Sequence, residues 1–432
     1  MGLLQQFRFS LLIFWSILFA IASTQAEVTT FEPNVQSTHH LVHIKSYPIR
    51  IRTANITSSV VIKGEKIHIK TASESFLASH QPDVRSVATA FSALSTISIQ
   101  LVDQHKWKIL NLETQETYEI RQSRLLIEGQ NLFVNQVESP NQIELIATEK
   151  TKLVKDFDVV ATLELEEYLL DVVASEVPSH WPLESLKAQA VAARTYALVI
   201  QSERVDKPYE IDSTTQHQVF NYKRHLKVKD PKNVIRAVKS TRQKILQDKS
   251  SRLYKTYFHA HCGGESEDPG AVWGTPNPDF KPNYDKQSCE SSPSGAWTFQ
   301  ISESDLVDRL SKAEPALKDS PFLQLKLVYK PLSRRLESVE VITVNRVFRF
   351  RSQDFRAAVG YTQLKSTIFS LEVEGLAFNF KGQGYGHGVG LCQTGSRWMA
   401  LTGSHYREIL RRYYPQAHLS ELKNRSFILS KN

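Results

Sequence analysis

The sequence predicts an α+β protein: a helical core packed with mixed β-strands, preceded by a β-rich N-terminal part. Three observations point there. From about Ser46 to Glu149, segments such as "IRIRTANITSSVVIKGEKIHIK" and "RLLIEGQNLFVNQV" alternate apolar and polar residues and break at Asn, Gly or Gln. From Leu163 to about Ile200 the apolar spacing changes to threes and fours, the period of a helix. Later, "FLQLKLVYKPLSRRLESVEVITVNRVFRFRS" returns to period two, and Arg397–Leu401 and Tyr406–Tyr413 close the chain with helical spacing. "ISESDLVDRLSKA" predicts a short capped helix between them.

At the N-terminus, Arg8 precedes an apolar-plus-Ser stretch from Leu11 to Ala22, and "TQA" follows with a small residue at Ala26. This pattern predicts a secretory signal over residues 1–26, with an uncleaved anchor as the alternative. The apolar stretch is shorter than the ~20 residues a membrane span needs. The mature chain is then expected to begin near Glu27 and to work outside the cytoplasm, in the periplasm or cell envelope. A β-rich region over 27–150 and a main domain over 151–425 are expected, since 432 residues exceed one ordinary domain. A content of 41% hydrophobic and 23% charged residues excludes a disordered chain. The net charge of +8 suits an anionic partner. No Lys/Arg run is long enough for a basic arm, so nucleic acid is not the expected partner.

In "ATLELEEYLLDVVASEVP", Leu165, Tyr168, Leu169, Val172 and Val173 fall on one helical face. Thr162 is a plausible cap, and Pro178 predicts that the helix stops at about Glu176. Glu164, Glu166, Glu167 and Asp171 fall to the sides or back of the stripe. Glu176 falls near its centre. Burying a bare carboxylate is costly, and a helix C-terminus disfavours it further. Both effects raise its pKa, as a general acid near neutrality requires. Two bland readings compete: a salt bridge to Arg194, or a frayed last turn that leaves Glu176 in water.

The next helix places Pro182 at its first position and a stripe of Leu183, Leu186, Ala190, Ala193, Ala197 and Ile200. Its five alanines between Ala188 and Ala197 allow close neighbours, and Gln189, Arg194, Thr195 and Tyr196 are polar groups held rigidly. Downstream, glycine recurs at every second residue from Gly382 to Gly390. In an extended chain this leaves one face bare, with Gln383, Tyr385, His387 and Val389 on the other. It is not a nucleotide loop, since no G-x-G-x-x-G or G-K-[ST] pattern is present. His387 is a candidate substrate contact or second acid/base. Gly403 is expected to stop a helix and Ser404 to cap the next. There are three cysteines. Cys262 and Cys289 are the expected disulfide pair in an oxidising compartment. Free thiols, or a metal held with help from His259 and His261, are the alternatives.

"LELEEYLLDVVASEVPSHWPLESLKAQAVAARTYAL" and "GQGYGHGVGLCQTGSRWMALTGSHYREILRRYYP" are similar to the lead and closing motifs of the family of stage II sporulation protein D and the amidase enhancer LytB. "STTQHQVF" and "YFHAHCGGESEDPGAVWG" resemble family segments between them. The resemblance implies peptidoglycan as substrate and a lytic transglycosylase cutting between N-acetylmuramic acid and N-acetylglucosamine to leave 1,6-anhydro ends. It assigns the single catalytic glutamate to Glu176. The alternative it implies is a non-catalytic wall protein that enhances a cell-wall amidase. Gln189, Arg194, Tyr196, Gln218, Gln383, Tyr385 and His387 are the candidate substrate-binding residues. Some relatives carry a His/Cys zinc cluster ahead of the glutamine matching Gln218; "YEIDSTTQHQVF" has no cysteine, so no metal and no cofactor are expected. Asp171 stands where relatives often have Gly.

Overall fold

The computed structural model describes residues 40–42, 48–72, 84–91, 94–148, 156–214, 217–274, 284, 289, 295–422 and 427–429. The signal-like stretch 1–26 lies outside the described residues. The fold is α+β, as the sequence predicts. The described helices include none long and apolar enough to cross a membrane.

The period-two segments become strands β1 (Pro48–Thr57), β2 (Ser59–Ala72), β3 (Val84–Phe91), β4 (Ser95–Asp103), β5 (Lys106–Asn111), β6 (Thr117–Arg121), β7 (Arg124–Val134) and β8 (Gln142–Ala147). β9 (Asp156–Glu164) follows, and β10 (Ile211–Asp212) comes after two helices. They share one sheet in the order β10-β1-β9-β8-β7-β2-β4-β5-β6, with β3 pairing β2. The alternation buries Val60, Ile62, Ile97, Ile99 and Trp107 in one core on this sheet. The expected boundary near residue 150 falls between β8 and β9, which are hydrogen-bonded neighbours.

α1 (Leu165–Glu176) and α2 (Leu183–Glu203) lie beside a second core. Ile49 and Ile51 of β1 enter that core with Tyr168, Leu169 and Val172 of α1 and with Ala190, Ala193 and Ala197 of α2. The other face of α2, with Ala188, Val191 and Ala192, packs into a third core. Alanine on both faces lets neighbours approach α2 from two sides, so the predicted single stripe becomes a helix buried almost all round. Around it lie α3 (Pro231–Ser240), the strand pair β11 (Lys244–Gln247) with β20 (His418–Glu421), and the parallel pair β12 (Phe258–His259) with β19 (Leu391–Cys392). α4 (Pro269–Trp273) follows β12, while α7 (Gln393–Leu401) and α8 (Tyr406–Tyr413) follow β19.

A fourth core, from Trp297 to Phe380, is built by two three-stranded sheets with α5 (Glu303–Ser311) and α6 (Ser352–Val359). The sheets are β13 (Ala296–Ser302), β18 (Ala377–Gln383) and β17 (Phe369–Glu374), and β14 (Phe322–Tyr329), β15 (Leu336–Thr343) and β16 (Val347–Arg351). Ser302 caps α5 by accepting from the Asp305 N–H, matching the predicted capped helix.

Local details correct the sequence reading. Thr162 lies within β9; Glu164 is the N-cap of α1. Pro182 is the N-cap of α2 rather than its first helical residue. His405, not Ser404, caps α8 through a capping box with Glu408. The glycine ladder is not extended: β18 ends at Gln383, and Gly384, Gly386, Gly388 and Gly390 all have positive φ. The expected close approach does hold. A Cβ on Gly390 would meet the Tyr257 carbonyl, and one on Gly388 the Arg335 guanidinium.

Candidate active site

The predicted stripe of α1 is fully buried from Leu165 to Val173, and the helix ends at Glu176. Val177 before the proline is extended, φ −137° and ψ 148°. Glu176 is half-buried. Its Oε1 accepts the Val219 N–H at 2.7 Å, and the Gln393 side chain donates to the same carboxyl. Burial raises its pKa to about 7, with these two hydrogen bonds pulling the other way. The carboxyl is therefore half-protonated near neutrality, able to give a proton and to take one back.

Arg194 does not pair with it. Its fork closes on Glu166 with two bonds of 2.8 Å, and it also donates to the carbonyls of Lys244 and Val238. Arg194 is fully buried. This removes the salt-bridge reading of Glu176 and corrects Arg194 as a substrate contact: its donors are spent inside the protein. Asp171, expected to the side of the stripe, is instead buried. It accepts the backbone N–H of Lys223 and His225 at 2.8 and 3.0 Å, holding the segment that follows Val219.

Residues 154–247, which contain this carboxyl and both helices, match the family model described as stage II sporulation protein. This matched stretch supports a likeness to the SpoIID/LytB family. A second model, a domain of unknown function, matches residues 284–390, which take in the core from Trp297 to Phe380. The chain is 29% identical to an uncharacterized protein of Brachyspira hyodysenteriae over 75% of its length and 82% of the relative's. It is 29% identical to stage II sporulation protein D of Bacillus subtilis over 61% of this chain and 76% of the relative. It is 25% identical to the amidase enhancer of Bacillus subtilis over 58% of this chain and 40% of the relative. These similarities support a cell-wall-related function.

The other candidate residues separate by burial. Gln218 is fully enclosed: its Oε1 accepts from the Tyr168 hydroxyl at 2.8 Å and its Nε2 donates to the Ala193 carbonyl at 3.2 Å. It cross-links α1 to α2 and so aims the neighbouring Val219 N–H at Glu176, which corrects it as a direct ligand contact. Gln189 is also buried, 3.5 Å from Gln393. Tyr196 is buried, and burial with the nearby Tyr257, Glu203 and Glu176 keeps its phenol protonated well above its ordinary pKa.

Tyr196 leads to a cluster the sequence reading missed. Its ring lies 5.9 Å from Tyr257, which stacks on Trp273 at 4.0 Å and 17°. His387 sets its edge against Trp273 at 5.1 Å. Burial, His259 and Arg356 push His387 well below the ordinary imidazole range, so it is neutral at pH 7. Its Nδ1 accepts the Val389 N–H at 3.0 Å, leaving the proton on Nε2. Trp273 is 45% exposed. A tryptophan closing a Gly- and Pro-rich stretch was the available signal. Tyr385 is exposed, its backbone paired with His261. Gln383 donates to the Cys289 carbonyl at 3.3 Å and lines an open groove of about 750 Å³ with Trp297, Tyr329 and Arg334. The walls of that groove include no residue of α1 or α2.

The expected Cys262–Cys289 disulfide is not formed: all three cysteines are buried thiols. The Cys289 sulfur contacts that of Cys392 at 3.4 Å, far from the ~2.05 Å of a bond. One arrangement bears on the expectation of no metal. Ligand atoms of His259, Cys262 and Cys392 lie within 4.8 Å of one another, an arrangement able to hold an ion. β12 and β19 bring them together, since their parallel register sets His259 beside Cys392.

Proposed function

We propose that this chain is an exported peptidoglycan lytic transglycosylase of the periplasm or cell envelope, with Glu176 as its only acid/base. The observation that supports this is the half-open carboxyl whose pKa burial raises to about 7 and which no cation neutralises among the influences upon it. Protonated Glu176 donates to the glycosidic oxygen as the bond to muramic-acid C1 breaks. The carboxylate then takes the proton of that sugar's own 6-hydroxyl as its oxygen bonds to C1, closing the 1,6-anhydro ring. Glu176 ends protonated, ready for another turnover, and the second carboxylate of ordinary glycosidases is not needed. The Tyr257–Trp273 stack offers a flat apolar surface suited to a sugar ring.

Digestion of purified peptidoglycan tests the reading. Wild type should release anhydro-ended muropeptides, and Glu176→Gln should lower the rate by about a hundredfold or more. Equal release by both proteins would refute it. The similarity to a protein named amidase enhancer supports one alternative, a non-catalytic wall protein that stimulates a cell-wall amidase. In that case neither protein yields anhydro ends, and both bind the wall and stimulate the amidase equally.

A further inference from the structure

We infer that His259, Cys262, Cys289 and Cys392 form a structural zinc site. The inference stands apart from the transglycosylase reading. All four residues are almost completely buried. Three of them place ligand atoms within 4.8 Å of one another, and the Cys289 sulfur adds a fourth, 3.4 Å from that of Cys392. A tetrahedral site with bonds of ~2.3 Å to sulfur has edges of ~3.8 Å, so the separation fits shared ligation.

The decisive group is His259. Its Nδ1 lies 3.0 Å from the Val389 carbonyl, which fixes the proton on that nitrogen. Its Nε2 is then a bare lone pair, and this buried atom has no hydrogen-bond partner among the described residues. An enclosed lone pair beside the sulfurs of Cys262 and Cys392 is a ligand in search of a cation.

The surroundings are built for thiolates. The Cys392 sulfur accepts the N–H of Cys262 and of Gly395, and the Cys262 sulfur that of Gly264, each at 3.3 Å. Cys392 is the N-cap of α7, where the helix dipole favours a negative charge. Arg335, fully buried, donates to the Cys262 carbonyl at 2.8 Å and offsets the excess charge of three thiolates around a divalent ion. Three sulfurs and one imidazole select zinc over hard cations, and a complete, buried ligand set marks a structural site. The ion would pin the start of α7, where Gln393 follows Cys392 and reaches Glu176.

The test is elemental analysis of the full mature protein purified without chelators, with thiols titrated in denaturant without reductant. One equivalent of zinc per chain and three titratable thiols are expected. Replacing zinc with Co²⁺ should give thiolate charge-transfer bands and the intense visible bands of a tetrahedral site. Cys262→Ser and Cys392→Ser should each lower zinc content about tenfold or more. His259→Cys should keep the metal and shift the cobalt spectrum toward four sulfurs, which a misfolded chain would not do. Absence of metal overturns the inference, whether three thiols titrate or two are lost to a disulfide. So does iron in zinc's place, or a cobalt spectrum that His259→Cys leaves unchanged.

Discussion

At Glu176 the raised pKa has a consequence for stability. The folded protein keeps this proton up to about pH 7, whereas an ordinary glutamate loses it near 4.5. Below 4.5 both states are protonated and the group is neutral to stability. Between those values the fold loses stability as pH rises, and above about 7 the full cost is present. Glu176→Gln should therefore match wild type at pH 4 and exceed it by about 2 kcal/mol above neutrality, a figure reduced because the group is partly open. Glu210, likewise raised to about 7 by burial, acts equally in both proteins. Urea midpoints across this range check the claim, and parity at pH 8 would sink it. In the transglycosylase reading the first step needs the acid form, so the rate on peptidoglycan should fall as pH rises through about 7.

Among the elements, α2 and the glycine ladder carry the strongest constraints. Arg194 ties α2 to Glu166 of α1 from a fully buried position. Arg194→Met takes the donor from that carboxylate and from the Lys244 carbonyl, and should cost about 3 kcal/mol in urea unfolding. A cost under about 1 kcal/mol would show that the pair contributes little. In the ladder, Gly390 has φ +72° and its missing Cβ would sit 2.0 Å from the Tyr257 carbonyl. Gly375 also has positive φ, 62°, but faces open space. Gly375→Ala should cost only the left-handed backbone, about 1 kcal/mol, while Gly390→Ala should cost several times more. Equal thermal shifts would refute the packing argument.

Over the whole molecule, β1 is the seam. It lies between β9 and β10, and its Ile49 and Ile51 fill the core under α1 and α2. Arg52 of the same strand binds Asp212 of β10 and lies 3.5 Å from Asp158 of β9. A chain beginning at residue 151 would expose the edges of β9 and β10 and open the core behind Glu176. Such a truncation should express as aggregated or molten material, judged by near-UV dichroism and amide exchange. A soluble fragment with native exchange protection would instead support an independent domain over 151–425.

The helical stripe, the stop at Pro178 and the inward aim of Glu176 were legible in the sequence because they rest on local rules: residue periodicity and the backbone restriction before proline. So were the period-two strands. What the sequence left open was partnership. Arg194 was the obvious cation to imagine beside Glu176, yet Glu166 in the first turn of α1 claims it. Asp171 was placed off the stripe because the wheel knows only its own helix; the segment at Lys223 and His225 covers it. The ladder's period of two resembled a strand, although positive φ at every glycine from Gly384 to Gly390 turns the chain back on Tyr257 and Arg335. Cys392 lies 130 residues from Cys262, and only the parallel pairing of β12 with β19 makes them neighbours. The sequence by itself determined which residues turn inward, and tertiary structure decided what they meet there, because periodicity is local and pairing of buried charge and sulfur is not.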